Sequence, residues 1–267
     1  MFRLFDVSLR DGLQSLKKIY TFNEKKKLLH KVLLKNPSAI EIGSVVSPNI
    51  LPQMKDSIKL YKYAEGEFVK SKFDFNGNYY MLVPNEKGIN TALKNNIFNF
   101  SLITSVSESF QKKNTNTTIN ETKAFIEKVY SKKNLEKKIN KLKIYISCIN
   151  YCPLEGVINT SKIIDEINYY SQYENTTICL SDTCGNLCFK DFVSIMKNIK
   201  DTSNISLHLH YNKKNISNVE KVLRYAYQNN IREYDVSYID AGGCSVTMGN
   251  NNLNENINYE IIKNINI

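Results

Sequence analysis

Two histidines separated by one residue, His208 and His210, close an apolar run near the end of the chain. On a strand, residues i and i+2 share a face, so both imidazoles can reach one ion. The third and last histidine, His30, falls in a helix-like segment. Asp11, just after the first apolar run, can add a carboxylate oxygen from across the fold. A mixed nitrogen and oxygen donor set with room for solvent suits Mg2+ or Mn2+, and ligand type alone leaves Zn2+, Co2+ and Fe2+ open. Arg10, one of only four arginines, sits beside that aspartate. Its planar fork suits a carboxylate or a polarised carbonyl of a substrate. Cys244 follows two glycines, where a thiol near a metal and a histidine can move protons. Asp182 and Glu41, each in or at the end of an apolar run, can orient ligands or act as acid or base.

Elements that could bring these residues together alternate along the chain. Strand-like runs fall at Phe2–Val7, Ala39–Val46, Tyr79–Val83, Ile97–Val106, Lys143–Ile149, Thr176–Leu180, Asn204–His210 and Glu233–Ile239. Helical patterns fall between them at Asn23–Leu34, Pro52–Tyr63, Asn85–Asn95, Ile119–Lys138, Thr160–Tyr173, Lys190–Ile199 and Ser217–Gln228, with a last amphipathic piece at Asn254–Ile265. Eight such units in 267 residues predict a single α/β domain over 1–267, a (β/α)8 TIM barrel. In that fold, chemistry gathers where the strands' C-terminal ends converge. The polar residues fall there: Arg10 and Asp11, Glu41 and Ser44, Ser105, Ser107 and Glu108, Tyr145, Ser147 and Cys148, Asp182, and both histidines. Eight of the ten glycines lie in or just after the strand-like runs, where main chain can approach a ligand closely.

Composition narrows the function classes. The chain is 42% hydrophobic and 23% charged, which is globular rather than disordered or fibrous. No apolar stretch approaches a membrane span. The sequence opens directly on a strand-like segment, so the expected location is cytoplasmic. The net charge of +10 comes with 32 lysines spread along the whole chain and 35 asparagines. That vocabulary fits an AT-rich genome better than a nucleic-acid surface, although a positive field favours anionic small ligands. The pairs Cys148/Cys152 and Cys184/Cys188 have no histidine nearby, so reduced thiols are expected rather than a zinc site.

Asp6-Val-Ser-Leu-Arg-Asp-Gly-Leu-Gln14 resembles the first-strand motif of the TIM-barrel metallolyases and Claisen-type synthases. Ile40-Glu-Ile-Gly-Ser-Val-Val-Ser-Pro48, Val83-Pro-Asn85, Ser105-Val-Ser-Glu-Ser-Phe110, Cys152-Pro-Leu-Glu-Gly156, Ser181-Asp-Thr183, His208-Leu-His210 and Gly242-Gly-Cys244 narrow it. In order across nearly the whole chain, they resemble the 3-hydroxy-3-methylglutaryl-CoA lyase family. The resemblance implies cleavage of that acyl-CoA into acetyl-CoA and acetoacetate, a retro-Claisen reaction with a divalent cation, Mg2+ or Mn2+. It implies Asp11, His208 and His210 as metal ligands, with Asn252 (or Asn250) as a fourth. Arg10 would stabilise the enolate, Cys244 would be the loop cysteine, and His208, Asp182 and Glu41 would belong to the catalytic set. Arg10, Gln14, Ser107, Tyr145 and Ser147 are the expected substrate contacts, and a homodimer without nucleic-acid or membrane partners is expected.

The sequence departs from the family at several points. Tyr211 stands where an acidic residue usually follows the histidine pair, which predicts weaker support for the metal histidines. Ser245 replaces a proline, Ser181 a glycine, and the segment after Cys244 is one residue shorter. The chain also ends soon after the eighth unit. Two other readings follow from these features: a synthase condensing acetyl-CoA with a 2-oxo acid, and a degenerate barrel kept for binding.

Overall fold

The protein is described here by a computed structural model covering residues 1–136, 139–243 and 254–265. Eight strands form a closed barrel: β1 (Arg3–Asp6), β2 (Ala39–Ser44), β3 (Asn78–Leu82), β4 (Asn99–Ser105), β5 (Lys141–Ser147), β6 (Thr176–Ser181), β7 (Ile205–His208) and β8 (Glu233–Val236). Each pairs in parallel with its sequence neighbour, and β8 closes on β1. The expected (β/α)8 architecture is therefore present. Register carries Ser105, Ser147, Ser181 and His208 into one row near the strands' C-terminal ends.

Helices cover the outside. Phe22–Leu33 starts on a capping box in which Thr21 and Glu24 exchange hydrogen bonds. Asn85, Ser107, Asn159 and Asn258 cap four other helices with their side chains. Asparagine also serves at helix ends and turns. Among the described residues, five of the six non-glycine positions with positive φ are Asn36, Asn96, Asn116, Asn175 and Asn230. Asn tolerates the left-handed region better than most residues, so an asparagine-rich chain can end helices with few glycines. No described helix is long and apolar enough to cross a membrane.

Several boundaries differ from the sequence reading. Helices Glu67–Lys72 and Glu108–Thr115 are additional. The second is started by Ser107, whose hydroxyl accepts the Phe110 N–H at 3.1 Å. The run 204–210 divides at Leu209: β7 ends at His208, and His210–Tyr211 leaves the barrel to pair antiparallel with Glu255–Asn256. The amphipathic piece 254–265 is correspondingly not one helix. Its first residues are extended, because Asn254 and Asn256 are spent on loop contacts, and the helix is only Tyr259–Lys263.

Two cores result. The larger packs outward-facing strand residues, such as Ile40, Ile42, Ile144, Ile146 and Leu180, against helix residues such as Leu28, Leu29, Val222 and Leu223. The smaller is Phe5, Val7, Ala39 and Tyr80, and above it the barrel interior is charged.

Candidate metal centre at the barrel mouth

The chain leaves β1 through a single π-type turn, Ser8–Gly12, in which the Gly12 N–H reaches the Val7 carbonyl at 3.1 Å. Such turns recur at functional sites. This one turns Arg10 and Asp11 into the mouth, both buried. Arg10 Nε donates to Glu41 Oε2 at 2.5 Å, and another guanidinium nitrogen reaches Asp11 Oδ1 at 2.5 Å. Burial opposes the Arg10 charge, but Glu41 and Asp11 outweigh it and push its pKa well up. Glu41 is held in turn by the Ser101 hydroxyl and, at 3.4 Å, by the Tyr145 hydroxyl.

Asp11 Oδ2 faces both histidines: His210 Nε2 lies 3.6 Å away and His208 Nε2 3.9 Å. Among the described residues, Asp11, His208 and His210 are the group whose donor atoms could share an ion, all within 4.8 Å of one another. Burial disfavours the Asp11 charge, yet Arg10 and the histidines hold its pKa well below the usual range. Asp11 Oδ2 also accepts the Gly243 N–H at 3.1 Å and Asn256 Nδ2 at 2.9 Å. Gly243 has φ +90°, a conformation that favours glycine. At Gly242 a Cβ would lie 2.5 Å from Asn256 Nδ2, so a side chain there would displace that amide.

Both histidines are oriented from behind. His210 Nδ1 bonds the Asp182 carbonyl at 2.8 Å, and His208 Nδ1 bonds Asp235 Oδ2 at 3.0 Å. Lys143 Nζ reaches Asp235 Oδ1 at 2.5 Å, and although burial opposes it, this neighbour pulls the Asp235 pKa down. The residues fit a cation on three counts. The donors are two imidazoles and a carboxylate, each fixed by an outer hydrogen bond as metal-binding histidines usually are. His210 Nε2 is buried without a hydrogen-bond partner. The carboxylates Asp11, Glu41, Asp235 and Glu233 outnumber the cations Arg10 and Lys143 that they pair with.

These groups border a cavity, open to solvent on one side, lined by Arg10, Asp11, Gln14, Tyr145, Ser147, His208 and His210, with Val46, Leu82, Ile103 and Phe110 on its apolar side. Ser107, an expected substrate contact, is buried and does not line the cavity; its hydroxyl accepts the Phe110 N–H and shares a hydrogen bond with Cys152 Sγ at 3.0 Å. The Asp182 carboxylate accepts the Asn186 and Leu187 N–H groups, each at 3.0 Å, and burial raises its pKa. Cys244, Asn250 and Asn252 lie outside the described residues. Tyr211 takes no part in holding the histidines, since Asp235 and the Asp182 carbonyl already occupy both Nδ1 atoms. Sequence reasoning missed Lys143, Asp235 and Asn256. Charged residues alternating within the fifth and eighth runs, Lys143 and then Glu233 with Asp235, were the available signal for the first two.

The solved Brucella melitensis HMG-CoA lyase superposes with a TM-score of 0.84 at 22% identity, covering 98% of this chain and 89% of that one. An HMG-CoA lyase from Acinetobacter baumannii, solved with coenzyme A and 3-methylmalate, gives 0.83 at 24% identity over 99% of this chain and 83% of that one. In sequence, the mitochondrial hydroxymethylglutaryl-CoA lyase of Macaca fascicularis is 28% identical over 253 residues, 92% of this chain and 73% of the relative. An HMGL-like family model matches residues 1–242, and the chain belongs to the HMGL-like family.

Proposed function

We propose that the protein is a divalent-cation-dependent carbon–carbon lyase that cleaves 3-hydroxy-3-methylglutaryl-CoA into acetyl-CoA and acetoacetate. The observation that carries this reading is the convergence of Asp11, His208 and His210 beside Arg10 at the mouth, with His210 Nε2 buried, without a hydrogen-bond partner among the described residues and 3.6 Å from Asp11 Oδ2. Family membership and the coenzyme A bound by one structural relative support an acyl-CoA substrate. Asp11, His208 and His210 would hold the cation, with Asn252 as a fourth ligand. A bound Mg2+ or Mn2+ would polarise substrate oxygens as a Lewis acid.

The reaction takes a proton from the tertiary hydroxyl and breaks the C2–C3 bond. The bonding pair moves onto C2 as the enolate of acetyl-CoA, and C3 becomes the ketone of acetoacetate. Asp182 is assigned to the catalytic set with His208: its carboxylate is held by the Asn186 and Leu187 N–H groups, and its carbonyl orients His210. Arg10 offsets the charge developing on the thioester oxygen, and Glu41 holds its guanidinium from behind. Cys244 is assigned the return of a proton to C2. Gln14, Tyr145 and Ser147 contact substrate from the cavity wall, and Ser107 acts through Phe110, whose N–H it caps.

The test is acetyl-CoA release from 3-hydroxy-3-methylglutaryl-CoA with Mg2+ or Mn2+, repeated with chelator and with the Asp11→Ala, His208→Ala double variant. Turnover lost in both controls supports the lyase. A folded, cation-binding protein without turnover would refute this substrate.

A further inference from the structure

The two histidines at the mouth are anchored unequally. Behind His210 stands a neutral backbone carbonyl, that of Asp182. Behind His208 stands the Asp235 carboxylate, 3.0 Å from Nδ1, and behind that stands Lys143 Nζ, 2.5 Å from the second carboxylate oxygen. Lys143 and Asp235 are at most 1% exposed. They come from β5 and β8, so their pair spans the barrel interior. Lys143 also reaches Glu233 at 3.1 Å and lies over the Phe5 ring, 3.6 Å from its centre. Neither Lys143 nor Asp235 borders the cavity, and the proposed reaction uses neither.

Stability alone explains this pair poorly. A buried ion pair costs desolvation of two charges, and well-packed apolar residues of similar volume are often as stable. The end facing His208 is more specific. A carboxylate on Nδ1 selects the tautomer that carries its proton there, leaving the Nε2 lone pair for an electrophile. His208 Nε2 points toward Asp11.

We propose that Asp235 and Lys143 are positioning residues: Asp235 fixes His208 with its proton on Nδ1 and its Nε2 lone pair aimed at Asp11, and Lys143 holds the carboxylate in that place. This rests on the reading of Asp11, His208 and His210 as a cation site. Lys143 thus acts on the mouth from the middle of the barrel, through two hydrogen bonds.

Two measurements test it. The first is the His208 tautomer in metal-free wild-type protein, read from long-range proton–nitrogen NMR correlations and assigned with His30→Gln and His210→Gln variants. The proposal requires the proton on Nδ1, and a proton on Nε2 overturns it without reference to any metal. The second is Mn2+ binding by calorimetry alongside thermal unfolding. Asp235→Asn should weaken Mn2+ binding by about 10- to 100-fold, Lys143→Met should also weaken it, and Lys143→Arg should restore most of the loss. Lys133→Met removes a buried lysine at the other end of the barrel, bonded to the Glu174 and Asn175 carbonyls just before β6. It should lower the melting temperature and leave Mn2+ affinity unchanged. Wild-type affinity in folded Asp235→Asn overturns the positioning role. No Mn2+ binding by wild type overturns the cation-site reading and this proposal with it, whereas the tautomer result separates the two.

Discussion

The inside of the barrel and the layer outside it solve burial in opposite ways. Between strands and helices, burial is mainly apolar, through residues such as Leu29, Ile144 and Phe192, with scattered charged groups such as Lys25 and Glu166. Inside, fully buried charges face one another: Arg10 with Glu41 and Asp11, and Lys143 with Asp235. Asp6 shows why the distinction matters. It points from β1 into the outer layer, where it meets the Tyr259 and Ser8 hydroxyls and the Ser8 N–H and, among the described residues, forms no ion pair with a cation. Burial there lifts its pKa to about 7, whereas Asp235, equally buried but beside Lys143, is pushed down. The outer layer stabilises the fold and tolerates charge poorly. The interior is arranged for charge, and its groups converge on the mouth.

Substitutions should therefore separate the two regions. The largest effect is expected from His210→Ala, which removes a proposed ligand. Acetyl-CoA release should fall by roughly 10³-fold, about 4 kcal/mol of transition-state stabilisation, with little change in melting temperature. Leu29→Ala should do the reverse, costing about 2–5 kcal/mol in a denaturant titration while Mn2+ affinity holds. If both variants lost stability and affinity together, the division between the regions would be broken.

Asp6→Asn sharpens the contrast through pH. In the unfolded chain Asp6 titrates near 3.8, and in the folded protein at about 7. Between these values the folded state holds a proton that the unfolded state has lost. Asp6 therefore favours folding most at low pH, and that contribution is lost as pH rises toward 7. Removing the group should flatten the fall of stability from pH 4 to 7 by an amount on the order of 3 kcal/mol, measured as melting temperature against pH. An unchanged slope would assign that fall to other groups. The smallest effect is expected at the periphery. Thr21→Ala removes the cap of Phe22–Leu33 and should cost about 1 kcal/mol, with turnover untouched.

The same contrast sets what could be read from sequence. Outer-layer strands and helices announce themselves by period, and each of the eight strand-like runs overlaps a barrel strand, with bounds off by a few residues. His208, His210, Asp11 and Arg10 were legible because scarce residue types sat at strand ends. Lys143 and Asp235 were not, because a charged residue alternating with apolar ones on a strand reads as a solvent-facing position. Only closure of the sheet turns that face inward. Asn256 was illegible for a different reason. Its position 2.9 Å from Asp11 Oδ2 depends on an extended segment that the local pattern presented as helix.

The most direct test of the central claim is an anomalous-scattering crystal structure of the protein grown with Mn2+. The account predicts a Mn2+ peak bonded to a carboxylate oxygen of Asp11 and to the Nε2 atoms of His208 and His210. Clear density for these three side chains with no anomalous peak between them, at Mn2+ concentrations that support binding in solution, would contradict it.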